Sequence, residues 1–226
     1  MDKIDIYYDG TSIEKYATLD YVKGFTTNTT FMVQGNKLNY TEFYNTHKEL
    51  IKNRPISLQL YSDKDEDIID QARKIASLGD NVFVKVPVIK STGEDNNHVI
   101  SQLLKEGFKL NITAIFTEAQ LRHLYTVLKD YSNPIIISVF AGRISDTGCN
   151  PFEIVQFACK LYPNAHVLWA GCKETLSIQH AIDAGCKIIT IPDSIMDRLS
   201  RINKDLTEFS KETVLSFKKD GEKLTI

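Results

Sequence analysis

The sequence predicts an α/β fold, a (β/α)8 TIM barrel with an extra C-terminal helix, on three observations. Short apolar, β-branched stretches alternate with helical patterns along the 226 residues, giving eight strand–helix units. No linker or low-complexity segment interrupts them, so one barrel domain is expected over residues 1–226, with 204–226 as a C-terminal helix and tail. The turn after the first strand, Asp9-Gly10-Thr11-Ser12, has neither a GxGxxG nor a P-loop pattern. That counts against the alternative, an open doubly wound sheet.

The first strand runs from Ile4 to Tyr8, and Ser12 is expected to cap a short helix reaching Thr18. The second strand is Gly24-Phe25-Thr26, followed by a helix over Tyr40–Lys52 with Thr41 as its cap. The third, Ile56–Leu60, precedes a helix over Glu66–Leu78 that places Ile68, Ile69, Ala72, Ile75 and Ala76 on one face and stops at Gly79. The fourth lies within Asn81–Val88, and its helix spans about Asn96–Glu106. Strand five is Lys109–Ala114, with a helix over Glu118–Leu128; strand six is Ile135–Phe140, with a helix over Pro151–Leu161 that has proline in its first turn. Strand seven is Ala165–Trp169, with a helix over Lys173–Ala184 ending at Gly185. Strand eight is Ile188–Ile191, after which Asp193 is expected to cap a further helix.

The formal net charge is −2 and no basic block occurs, so nucleic acid is not expected as a partner. No apolar run approaches the ~18 residues of a membrane span. The first residues, Met1 to Asp5, lack the apolar core of a signal peptide. Cys149, Cys159, Cys172 and Cys186 show no CxxC spacing and read as reduced thiols, so a cytoplasmic protein is expected.

The fourth strand carries the chemistry. Alternation puts Val82, Val84 and Val86 on one face and Phe83 and Lys85 on the other. One reading has Lys85 snorkelling from the strand end to water. In the other its amine is buried, which lowers its pKa and makes it a usable nucleophile.

In such a barrel the site lies at the C-terminal ends of the strands. Those positions hold Asp9, Asn28, Gln59, Lys85, Asn111, Thr113 and Ser138, with Arg143 just beyond. Taken one at a time, Asp9 and Asn28 also suit turns, Thr113 and Ser138 suit barrel layers, and Arg143 suits a surface ion pair. Together they ring an amine with a carboxylate, amides and hydroxyls. That suits imine chemistry: a neutral lysine attacks a ketone, a carboxylate moves the adjacent hydroxyl's proton, and a guanidinium binds phosphate. Neither metal-ligand spacing nor a Gly-x-Ser-x-Gly elbow is found, so no metal or other cofactor is expected.

At these residues the sequence resembles the transaldolase family, in its short-chain branch with the fructose-6-phosphate aldolases. Six stretches carry the resemblance, in the family's order between Ile4 and Leu199. They are Tyr7–Thr11, Val22–Asn28, Val84–Pro87, Asn111–Phe116, Ser138–Ile144 and Ala184–Pro192. The resemblance implies that Lys85 carries a dihydroxyacetone unit as an imine and that Asp9 is the acid/base. It implies that Asn28, Asn111 and Ser138 hold the bound sugar, that Thr113 and Gln59 hold a catalytic water, and that Arg143 binds the aldose phosphate. It also implies sugar-phosphate substrates and a homo-oligomer, a pentamer or decamer assembled through the C-terminal helix.

Four positions depart from the family pattern. Asn28-Thr29-Thr30 replaces Asn-Pro-Ser. Gln59 is the aldolase-branch residue where transaldolases usually have glutamate, whereas Phe140 is the transaldolase residue where that branch has tyrosine. Ala170-Gly171-Cys172-Lys173 replaces Ala-Ser-x-Arg or Ala-Ser-x-Lys, so Gly171 removes a hydroxyl expected at the phosphate. The expectation is a class I transaldolase moving a dihydroxyacetone unit between sugar phosphates. The alternatives are a fructose-6-phosphate aldolase and a non-catalytic sugar-phosphate-binding barrel.

Overall fold

The computed structural model describes residues 3–225. Eight parallel strands close on themselves in sequence order. The first half of the chain runs β1 (Asp5–Asp9), α1 (Ile13–Tyr16), β2 (Val22–Thr26), α2 (Thr29–Gln34), α3 (Tyr40–Ile51), β3 (Ile56–Gln59), α4 (Asp65–Ala76), β4 (Val82–Pro87) and α5 (Asn97–Lys105). The second half runs β5 (Leu110–Ile115), α6 (Glu118–Leu128), β6 (Ile135–Val139), α7 (Ala141–Ser145), α8 (Phe152–Leu161), β7 (His166–Trp169), α9 (Leu176–Ala184), β8 (Ile188–Ile191), α10 (Asp193–Met196) and α11 (Leu206–Gly221). Pairing of β8 with β1, through Tyr7 opposite Thr190 and Tyr8 opposite Ile191, closes the barrel and excludes the open sheet.

Strand alternation divides the core in two. Outward residues such as Ile6, Tyr8, Phe25, Val84, Val86 and Ile137 pack under the helices in one large cluster. Inward residues form a smaller one, in which Tyr7, Ile136, Leu168, Ala170 and Ile188 meet Phe83 and Phe140. Gly24 faces this inner cluster, and a Cβ there would come within 2.5 Å of the Tyr7 ring. The missing side chain is what lets a tyrosine lie across the lumen.

Three expected helix caps are corrected. Ser12 precedes α1 but its side chain makes no cap bond; its backbone N–H donates instead to the Tyr8 hydroxyl, at 3.1 Å. Asn39, not Thr41, caps α3, accepting from Glu42 N at 3.0 Å. Asp193 makes no cap either. Its carboxylate accepts from the Tyr8 hydroxyl at 2.8 Å and the Tyr16 hydroxyl at 2.9 Å, tying the end of the barrel to its start. At Asp193 the two tyrosine hydroxyls take the acceptor that a helix N–H would have used.

The short helices α2 and α7 lie where loops were expected, and α9 starts at Leu176, later than the expected Lys173. The C-terminal helix is present as α11, capped by Asp205 but with no residue of its 16 buried. Among the described residues no helix is long and apolar enough to cross a membrane.

Replacing Gly24→Ala is expected to destabilise the barrel by about 1–3 kcal/mol through overpacking against Tyr7. For a domain of this size that lowers the melting temperature by roughly 2–4 °C per kcal/mol. An unchanged melting curve would show that the Tyr7 ring moves aside freely.

Candidate active site

Lys85 points into the barrel, as the alternation with Phe83 requires. It is 5% exposed and does not snorkel. Its Nζ donates to the Thr27 carbonyl at 3.1 Å. Gln59 on β3 and Asn111 on β5 are its neighbours in register. Burial pulls the amine's pKa below its ordinary 10.5, and the nearby Asp9 partly opposes the change.

Asp9 ends β1, half-buried. Its Oδ1 accepts from the Thr26 hydroxyl at 2.7 Å. Burial raises the carboxyl's pKa, while the charge of Lys85 and the Thr26 bond lower it. Desolvation thus drives the two pKa values toward one another, the acid upward and the amine downward. Proton exchange within this pair costs less than between an ordinary aspartate and an ordinary lysine.

A second polar chain crosses the lumen beside Lys85. The Ser138 hydroxyl donates to Asn111 Oδ1 at 2.7 Å, and Asn111 Nδ2 donates to Ser57 Oγ at 2.9 Å. All three residues are buried. Thr113 Oγ1 and Thr27 Oγ1 are also buried, and neither has a hydrogen-bond partner among the described residues. An unpartnered buried hydroxyl is costly unless something arrives to bond it. Thr113 lies on the Asn111 face of β5, opposite Pro87. Gln59 is half-buried, and its backbone carbonyl accepts from the Tyr40 hydroxyl at 2.8 Å.

Asn28 answers to both of its readings. Its Oδ1 caps α2 by accepting from Phe31 N at 3.0 Å, as a turn residue would. That bond fixes the amide and leaves its two N–H donors free of any bond to a described residue.

Beyond β6 the chain turns at Phe140 into α7, which carries Arg143. The guanidinium is exposed and lies 5.8 Å from the centre of the Phe140 ring, whose own neighbour is Phe116 at 5.7 Å. Gly142 N donates to the Ala170 carbonyl at 3.1 Å, and a Cβ on Gly142 would sit 1.6 Å from the Gly171 carbonyl oxygen. The loops after β6 and β7 are therefore in backbone contact, which glycine alone permits. Gly171 has φ +71°, a left-handed conformation that a serine would strain. The departure at this position is thus one of backbone shape as well as a lost hydroxyl. Lys173 is exposed at the same rim and pairs with Asp146 at 3.2 Å.

The Transaldolase/Fructose-6-phosphate aldolase family matches residues 6–225. The chain belongs to that family. A probable transaldolase of Bdellovibrio bacteriovorus is 28% identical over 186 residues, 80% of each chain. Another, of Thermoplasma volcanium, is 27% identical over 213 residues, 89% of this chain and 90% of that one. Among solved structures, 3-hexulose-6-phosphate synthase from Salmonella typhimurium matches with a TM-score of 0.62 at 12% identity, over 86% of this chain and 91% of that one. At that identity the likeness is one of fold.

In this family member the structure brings Asp9, Gln59, Lys85, Asn111, Thr113 and Ser138 to the inner face of the barrel. Asn28, Phe140, Arg143, Gly171 and Lys173 lie on the loops that follow its strands. Sequence reasoning missed Thr26, Ser57 and Thr190, which complete the hydrogen bonds of Asp9 and Asn111. The available signal was parity: Thr26 sits two residues after Gly24, and Thr190 two after Ile188, on faces that point inward.

The buried amine should leave a signature in stability. Below its lowered pKa the native state bears the full cost of a desolvated ammonium. Between that pKa and 10.5 the unfolded chain binds more protons, so stability rises with pH. In an Asp9→Asn background, where no carboxylate loses its counter-charge, Lys85→Met should therefore raise the melting temperature. The gain should shrink as pH rises from about 7 toward about 10. A gain independent of pH would show that the amine does not titrate in this window.

Proposed function

We propose that this protein is a class I transaldolase, moving a dihydroxyacetone unit from a ketose phosphate to an aldose phosphate through an imine on Lys85. The observation that carries this reading is the buried Lys85 amine, held by one backbone carbonyl and electrostatically coupled to a carboxyl whose pKa is raised. Family membership supports it independently.

In this reading neutral Nζ adds to the ketose carbonyl, and loss of water gives the imine. The Thr113 hydroxyl, unpartnered among the described residues, and the Gln59 amide, beside Lys85 in register, hold that water in this reading. Asp9 then takes the proton of the hydroxyl next to the scissile bond, the C–C bond breaks, and the electron pair enters the imine. The aldose leaves, and the bound three-carbon enamine attacks a second aldose, whose new alkoxide takes the proton back from Asp9. Asn111 and Ser138, already bonded to each other, and the free donors of Asn28 hold the three-carbon unit's hydroxyls. Arg143 faces the aldose phosphate, with Lys173 on the same rim, and the sharp turn at Gly171 shapes the space between them.

Two side chains bear on transfer against release. Release needs water to hydrolyse the intermediate after cleavage. Phe140 offers that water no hydroxyl and instead stacks between Phe116 and Arg143, which favours waiting for an acceptor. Gln59 bonds water but cannot accept its proton as glutamate does, which slows imine formation and hydrolysis alike. Release of dihydroxyacetone, as in an aldolase, is the second reading, because Gln59 is the aldolase-branch residue. A binding-only barrel has no use for an amine whose burial is costly. We also propose assembly with further copies through α11, on which Leu206, Phe209, Val214, Leu215 and Phe217 are exposed.

Borohydride added with fructose 6-phosphate should inactivate the protein and leave a reduced three-carbon adduct on Lys85, seen by peptide mass spectrometry. An adduct on Lys90 instead, or turnover without an adduct, would sink the imine assignment. With fructose 6-phosphate and erythrose 4-phosphate, sedoheptulose 7-phosphate should form faster than free dihydroxyacetone, and Phe140→Tyr should shift the ratio toward release. Equal dihydroxyacetone production with and without the acceptor, and no seven-carbon product, would establish the aldolase.

A further inference from the structure

The Thr26 hydroxyl makes two contacts, and only one of them can use its hydrogen. It donates to Asp9 Oδ1 at 2.7 Å, and its oxygen lies 2.5 Å from the oxygen of Thr190. A hydroxyl carries one proton. While Asp9 is a carboxylate it is an acceptor only, so Thr26 must give it that proton. The hydrogen in the second contact then comes from Thr190. Both threonines are almost fully buried, at 1% and 2% exposure, and the bond to Thr26 is the one the Thr190 hydroxyl makes with a described residue. The chain Thr190–Thr26–Asp9 therefore runs from β8 to β2 and back to β1, across the seam where the barrel closes.

We propose that Thr190 is a positioning residue for Asp9, acting through Thr26 as the far end of a hydroxyl relay. The proposal rests on the acid/base role given to Asp9 above. With Asp9 ionised, hydrogens point from Thr190 to Thr26 to Asp9. When Asp9 takes a substrate proton it does so on Oδ2, because the Thr26 hydrogen already fills Oδ1; the chain keeps its direction, and both contacts stay filled with no heavy atom moving. The carboxyl thereby keeps one orientation in both protonation states. The Thr26–Asp9 bond is not equally strong in the two protonation states. A bond to a carboxylate is roughly twice as strong as a neutral one, and a donor behind Thr26 polarises it further. Thr190 therefore favours the ionised form, the form that takes the proton. The other titratable groups that act on Asp9 are Lys85 from β4, which also favours the carboxylate, and Cys172 after β7. Burial raises the pKa of the Cys172 thiol, so it stays neutral.

Thr190→Val keeps the shape and removes the hydroxyl, whereas Thr190→Ser keeps the hydroxyl and removes a methyl. Two measurements are made on each: the pH dependence of kcat/KM for ketose phosphate cleavage, and the carboxyl titration of Asp9 by carbon NMR, assigned with Asp9→Asn. In Thr190→Val both the acid limb and the Asp9 resonance should titrate higher, by on the order of half a pH unit, while Thr190→Ser stays at the unmodified value. If Thr190→Val does not fold, Thr190→Ala supplies the same comparison. A resonance that moves while the rate profile does not would uphold the relay and overturn the catalytic role of Asp9. A resonance that stays in place, or moves equally in Thr190→Ser, would overturn the relay.

Discussion

Everything at this site depends on keeping one ammonium group out of water. Lys85 is enclosed in the barrel, and among the described residues one backbone carbonyl is its hydrogen-bond partner. Desolvation of that amine is the largest influence on its titration, and the Asp9 charge is the counterweight. The barrel makes such an arrangement stable because neighbouring strands bring polar residues to its inner face. Gln59, Asn111, Ser57 and Ser138 surround the amine without neutralising it. An acidic neighbour in direct contact would hold the proton on the lysine, and an apolar lumen would leave no one to orient a substrate.

Much of this was legible in the chain. Period-two alternation in Val82–Val86 gave the inward side of β4, and the order of strands and helices gave the closed barrel. The boundaries of α6 and β8 were read as they stand. What failed was local and polar. Ser12, Thr41 and Asp193 are good capping residues by type, yet Ser12 makes no cap bond, Asn39 takes the cap two residues before Thr41, and the Asp193 carboxylate goes to a partner that only tertiary structure supplies. Asp193 is 185 residues from the Tyr8 hydroxyl it binds. The short helices α2 and α7 were hidden because so few residues carry no periodicity to detect. Thr26 and Thr190 were passed over because a threonine in a strand looks like ordinary strand composition; only the hydrogen-bond count at Asp9 singles them out.

The rim after β6 and β7 shows how a sequence departure is absorbed. Losing a serine at Gly171 reads, in one dimension, as one fewer hydroxyl at a phosphate. In three dimensions the glycine turns left-handed, and its carbonyl fits against Gly142 where no side chain could stand. The two loops are in backbone contact, with Arg143 on one and Lys173 on the other. Charge at this rim is therefore set by how two glycines pack, as well as by which side chains bear it.

The seam between β8 and β1 has a consequence for how the molecule comes into being. Its contacts, the Tyr8–Asp193 bond and the Thr190–Thr26–Asp9 chain, join the two ends of the sequence. Contacts of such high sequence separation bear the largest loop-closure entropy and tend to make folding slow. On a ribosome, β8 is also the last strand to emerge. A nascent or half-folded chain can hold Lys85 between β3 and β5 and still lack an oriented carboxylate. On the imine reading proposed above, reactivity then arrives together with the final strand.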